Sequence, residues 1–171
     1  MTARPGSTRL LIVGNPDPVH VGSHFYRAAV SLGMEARVCD AREAYRAPAW
    51  RQKTDWWMRG HRPARLVEFS ARVLQIVRTF APDVLLTTGI APVDAQTLRT
   101  IAELGSARLN FLTDDPWNPA HRAAWFQEAL TQYDRVFTPR QANESDLEAA
   151  GVPAVSVLAF AYAPDVHFPE A

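Results

Sequence analysis

Short apolar runs alternate with amphipathic stretches along the chain. Leu10-Leu11-Ile12-Val13, closed by Gly14, is apolar without alternation, as suits a strand buried on both faces. After the turn cluster Asn15-Pro16-Asp17-Pro18, the residues Val21, Phe25, Ala28, Ala29 and Leu32 recur at helical spacing, and Gly33 stops the run. Glu35 to Asp40, carrying Ala36, Val38 and Cys39, reads as a second strand, so the first forty residues predict a βαβ unit. From Ala41 to Arg62, a segment carrying Tyr45 and His61, the periodicity fails and only a short helix within Arg51 to Met58 is expected; leaving the end of the second strand, the segment should lie over the carboxyl edge of the sheet, where a ligand would bind.

Pro63 starts a long amphipathic helix with Leu66, Phe69, Val73, Ile76, Val77 and Phe80 on one stripe, ended by Ala81-Pro82. Asp83 to Thr88 is the third strand, and Asp94 caps a helix that runs through Leu104 to Gly105. Leu109, Phe111 and Leu112 make a fourth strand, with Asn118 as N-cap and Pro119 as first residue of a helix reaching Tyr133. Arg135 to Thr138 is a fifth strand, Asn143 or Ser145 opens the next helix, and Ala154 to Leu158 is a sixth. Strict alternation predicts a Rossmann-like, three-layer α/β/α domain with a mostly parallel sheet of about six strands and helices on both faces. The loops at Gly14, Asp40, Gly89, Asp114 and Pro139 then share one edge, where open α/β sheets bind ligands.

Composition narrows the function. The 171 residues suit one domain, and eighteen basic against eighteen acidic side chains leave no net field to attract nucleic acid or an anionic membrane. The single cysteine, Cys39, excludes an internal disulfide framework and a cysteine-based zinc site, and it fits a cytoplasmic protein. No run approaches the ~20 apolar residues of a membrane span, and Met1 to Thr8 lacks a signal-like apolar region.

The candidate chemistry centres on Arg108 to His121, where a buried strand ends in Asp114, Asp115 and Trp117. Asp115, restrained by Pro116, reads as a turn former, whereas Asp114 directly follows Thr113 at the strand end and should emerge into a cleft. Adjacent carboxylates can bind magnesium through a substrate's phosphates, but only His121 is near as a further ligand, so no metal and no other cofactor are expected. Trp50, Trp56 and Trp57 among arginines either stack on a sugar or phosphate or form a packing cap or partner surface, which would make a homo-oligomer. A phosphoacceptor receiver domain fits badly, because it wants an acidic pair after its first strand.

The order of elements, with Phe137-Thr138-Pro139 and the closing run Gly151 to Ala161, resembles the N-terminal domain of a GT-B glycosyltransferase. The acidic and aromatic loop before the fourth helix is similar to that of the CgeB-like (spore-maturation-type) glycosyltransferases. Such enzymes use a nucleotide-sugar donor, which sits mainly on a second domain, and react in the cleft between the two. The resemblance therefore implies an acceptor-side half, with residues 162–171 starting an interdomain linker, the C-terminal domain missing and the acceptor unknown. It further implies that the loop after the first strand approaches donor phosphates or acceptor through Gly14, Asn15, Gly22 and Ser23, with Gly89 on the next loop. His24, like His20, is a candidate base, although a histidine beside a helix start also serves as a cap or surface group. Asp114 is the preferred catalytic residue, accepting a proton from an acceptor hydroxyl, while Asp115 contributes to binding and Trp117 stacks on a sugar face. The alternative is a non-catalytic Rossmann-like binding or protein-interaction module.

Overall fold

The computed structural model of the chain describes residues 7–48, 50, 58 and 60–161. Trp56, Trp57, most of the short helix expected over 51–58 and the linker-like residues 162–171 lie outside the described residues. Six strands alternate with helices: β1 (Arg9–Gly14), α1 (Val21–Ser31), β2 (Glu35–Asp40), α2 (Leu66–Phe80), β3 (Val84–Thr88), α3 (Ala95–Glu103), β4 (Ala107–Phe111), α4 (Ala124–Leu130), β5 (Arg135–Thr138), α5 (Glu144–Ala149) and β6 (Val155–Val157). Two 3₁₀ turns, Ala41–Tyr45 and Gln141–Asn143, follow β2 and β5.

The strands form one sheet in the order β2-β1-β3-β4-β5-β6, and every adjacent pair is parallel. All strand carboxyl ends therefore lie on one edge, as the alternation predicted. The chain steps one way from β1 to β2 and the other way from β3 onward, so the order reverses between β1 and β3. A crevice opens at such a reversal, because the connections leaving the two neighbouring strands diverge to opposite sides.

Helices cover both faces unequally. Leu11, Val13, Leu85, Leu112 and Val136 turn to the face packed by α2, α3, α4 and α5, through Phe69, Val73, Leu98, Ile101, Phe126 and Leu147. Leu10, Ile12 and Leu86 turn to the other face, where Ala29 of α1 joins them. The stripe read on α2 is what it buries, with Leu66, Phe69, Val73, Val77 and Phe80 all inside, and each such side chain contributes about 1.5–3 kcal/mol. Asp94 caps α3 as expected, its carboxylate accepting the Thr97 N–H at 2.8 Å. Among the described residues no helix is long and apolar enough to cross a membrane.

Of the boundaries that differ from the expectation, such as α2 starting at Leu66 rather than Pro63, the largest shift lies before α4. Asn118 does not cap a helix at Pro119; α4 begins at Ala124, and the intervening chain turns. Asn118 spends its side chain on the Ala120 N–H at 3.0 Å, and its carbonyl accepts the N–H groups of His121 and Arg122. A local turn thus outcompetes the helix start, because an asparagine side-chain oxygen mimics a backbone acceptor. Likewise Asn143 stands before α5 without a side-chain cap bond, since its amide donates to the Asp114 carbonyl at 3.3 Å.

Candidate functional site

A cavity of about 430 Å³ opens at the reversal point, over the carboxyl ends of β1 and β3. Its walls come from the loop and first turn of α1 (Gly14, Asn15, His20, Gly22), the turn after β2 (Arg42, Tyr45), the loop after β3 (Thr88, Gly89, Ile90) and the loop after β4 (Thr113, Asp114, His121), with His61 from before α2.

Two glycines let the floor close up. A Cβ on Gly14 would lie 2.5 Å from the Thr88 hydroxyl oxygen, and one on Gly22 would lie 2.8 Å from the Asn15 carbonyl oxygen. Only hydrogen at these positions lets β1, β3 and the first turn of α1 approach this closely. The first amides of α1, Val21 and Gly22, have no intrahelical acceptor, as at any helix start, and the N-cap residue His20 gives them no side-chain bond; both residues border the cavity. Asn15 is committed to the turn, its side-chain oxygen accepting the Asp17 N–H at 3.0 Å.

Gly89 adopts φ +62, and its missing side chain makes room for Asp114, whose Oδ2 would stand 3.0 Å from a Cβ there. A buried polar network holds this loop. Asn110 donates to the Thr87 hydroxyl at 2.6 Å and to the Gly89 carbonyl at 3.1 Å, and the Thr87 hydroxyl donates to Tyr133 at 3.0 Å. Burial pushes the Tyr133 phenol up to about 12, so it stays protonated. Asp114 itself is half-buried, accepts the Thr113 hydroxyl at 3.1 Å and lines the cavity. Tyr45 stands near enough to feel its charge: burial, and then the Asp114 carboxylate, push that phenol up to about 12.

The guanidinium of Arg42 is engaged by two carboxylates, contacting Asp17 at 2.8 Å and Asp40 at 2.9 Å. Its side-chain hydrogen bond holds the Asp40 carboxyl below the usual carboxylate range. Asp40 also accepts the Arg42 N–H at 3.0 Å, which sets the turn that carries Tyr45.

Of the residues singled out from the sequence, Gly14, Asn15, His20, Gly22, Gly89, Asp114 and His121 are brought together in this cavity. His24 and Ser23 are not among its lining; both face Arg27, which contacts His24 Nδ1 at 2.9 Å and donates to the Ser23 hydroxyl at 3.4 Å. Asp115 forms an Asx turn, accepting the Trp117 N–H at 2.9 Å, and Trp117 packs against the main core. Tyr45 and His61 join the site from the aperiodic segment that was expected over this edge. Among the described residues no three His, Cys, Asp or Glu side chains converge to hold a metal ion.

No protein-family model and no curated protein matches the sequence. Among solved structures, the chain is similar to the S. aureus MnaA–UDP co-structure, at 14% identity and a TM-score of 0.57 over 88% of this chain and 43% of that one. The glycosyltransferase SnogD from Streptomyces nogalater superposes more loosely, at 14% identity and a TM-score of 0.47 over 90% of this chain and 46% of that one. The chain thus spans less than half the length of either structure, and what it shares with the first is the Rossmann-like α/β fold.

Proposed function

We propose that this chain is the acceptor-side Rossmann-like half of a GT-B-type glycosyltransferase, of the CgeB-like kind, acting on a nucleotide-sugar donor in the cytoplasm. One observation carries the reading: the half-buried Asp114 carboxylate lines a cavity at the reversal of strand order, beside the first amides of α1. A ligand-sized crevice with few convergent polar groups is the expected form of such a site. The UDP in the S. aureus MnaA structure supports a uridine nucleotide as the first probe.

In the proposed reaction the acceptor hydroxyl gives its proton to Asp114, and its oxygen bonds to the anomeric carbon of the donor. The bond from that carbon to the phosphate oxygen breaks, and the nucleoside diphosphate leaves with the electron pair. The amides of Val21 and Gly22 offer donors to a phosphate oxygen at the positive end of α1. A second domain supplies the main nucleotide contacts. The apolar side chains of Trp50 and Met58, 71% and 80% exposed, favour a second reading in which this surface docks a protein without catalysis.

The test is transfer from a panel of radiolabelled nucleotide sugars, run on the longest protein encoded by the gene and on its Asp114→Asn variant. Turnover that the variant loses supports the reading. Absence of turnover with every donor, together with capture of a protein partner through Trp50, supports the second.

A further inference from the structure

We infer that Asn110 is the positioning residue of this site: its side-chain amide fixes the backbone of Gly89, and Gly89 fixes where the Asp114 carboxylate stands. The inference rests on the glycosyltransferase reading above. Gly89 sits where β3 leaves the sheet, with φ +62. Glycine adopts positive and negative φ about equally well, so its own chemistry does not select that conformation. Two bonds from β4 select it. The Phe111 carbonyl accepts the Gly89 N–H at 2.8 Å, and the Asn110 side-chain amide donates to the Gly89 carbonyl at 3.1 Å. Asp114 depends on the outcome, because its Oδ2 lies 3.0 Å, and the Thr113 hydroxyl oxygen 3.2 Å, from the place that a Gly89 Cβ would take. A turn of the Gly89 peptide would therefore move the wall against which the carboxylate rests.

A second observation concerns the other end of the Asn110 side chain. The Gly89 carbonyl can only accept, so the amide nitrogen must face it and the amide oxygen is left over. That oxygen is buried and has no hydrogen-bond partner. The side-chain bonds of Asn110 all leave from its nitrogen, to the Gly89 carbonyl and to the Thr87 hydroxyl at 2.6 Å. A buried acceptor without a donor is destabilising, and an apolar side chain of similar shape would escape that cost. Breaches of local rules of this kind are expected at functional sites. The opposing explanation is that Asn110 merely ties β3 to β4.

Turnover of the nucleotide-sugar panel by the longest protein that the gene encodes separates the two. Asn110→Leu removes the donor at nearly constant size. Ser106→Ala is the comparison: it removes a buried hydroxyl that donates to the Pro82 carbonyl at 2.7 Å, at the opposite edge of the sheet. Asn110→Leu should lower kcat per folded molecule about 10- to 100-fold, as misplacing a reacting group does, and leave KM within about 2-fold. Ser106→Ala should lower the melting temperature and keep kcat. In an Asp114→Asn background, Asn110→Leu should cost no further kcat, because it acts through that carboxylate. Exchange of the Gly89 amide hydrogen, followed by NMR without turnover, should quicken about 10-fold more in Asn110→Leu than in Ser106→Ala. If Asn110→Leu does not fold, Asn110→Ser, whose side chain is too short to reach the Gly89 carbonyl, takes its place with the same expectations. An unchanged kcat, an equal further fall in the Asp114→Asn background, or equal Gly89 exchange in the two variants overturns the assignment while leaving the proposed function standing. If the wild-type protein turns over none of the donors, the proposed function fails and takes this inference with it.

Discussion

Replacing Asp114 by asparagine should separate catalysis from folding more sharply than any other change in this chain. The side chain keeps its shape, and one oxygen is still available to accept the Thr113 hydroxyl now 3.1 Å away. The Asn143 bond to the Asp114 main-chain carbonyl is untouched. What is lost is the charge, and with it a charge-assisted bond at a half-buried position, worth about 1 kcal/mol. In a chain of 171 residues that lowers the melting temperature by about 2–4 °C. Loss of a positioned general base costs about 10² to 10⁴ in rate, equivalent to about 3–5 kcal/mol on the barrier. The effect on turnover should therefore exceed that on stability several-fold. The assay measures the thermal midpoint and turnover per folded molecule on the same preparation of the longest protein that the gene encodes, with Asp115→Asn alongside. Asp115 serves an Asx turn that asparagine also makes, so that variant should stay active and stable. An Asp114→Asn enzyme with wild-type turnover would remove Asp114 from the mechanism, and a fall in melting temperature with turnover intact would make it a structural residue.

Other outcomes follow from the same geometry. The isolated chain should transfer no sugar and bind nucleotide sugars more weakly than micromolar, because the proposed main donor site lies on another domain; calorimetry showing micromolar affinity would contradict this. Gly14→Ala places a methyl group 2.5 Å from the Thr88 hydroxyl oxygen, so chemical denaturation should register a loss of about 1–3 kcal/mol from overpacking. Adding Thr88→Ala should recover part of that loss, and a double variant no more stable than the single one would refute the clash. The Asp134 carboxyl, despite the upward push of burial, is held below the usual range by the side-chain and backbone hydrogen bonds of Arg108. A depressed carboxylate contributes stability above its unfolded pKa of about 3.9 and loses it as pH falls through the folded value. Melting temperature should accordingly fall on acidification below about pH 4, and Asp134→Asn should flatten that fall; parallel curves would deny the pair a role.

The alternation of elements was legible because each signal is local. Leu10 to Val13 is apolar at every position since a central parallel strand is buried on both faces, and the α2 stripe recurs with the helical period since only one side of that helix meets the core. From alternation alone follow the parallel sheet and the placing of Gly14, Gly89 and Asp114 on one edge. Asp114 could be singled out because it sits where a buried strand leaves the sheet. The start of α4 could not be placed in the same way, because Asn118 has side-chain chemistry for both a cap and an Asx turn, and the choice depends on what the turn must meet. The segment from Ala41 to Arg62 was expected over this edge because it leaves the end of β2, but which of its residues reach the cavity was decided by tertiary structure. His61 meets Arg122 across 61 positions, and Tyr45 feels Asp114 from a turn that follows a different strand. Neither residue stands in a repeating pattern, so no period announces it. Their meeting is set by the order of strands in the sheet, with β1 and β3 adjacent and the loops after β2 and β4 brought in from opposite sides. A long-range contact of this kind depends on packing of the whole sheet, which hydrophobic periodicity within a single element does not encode.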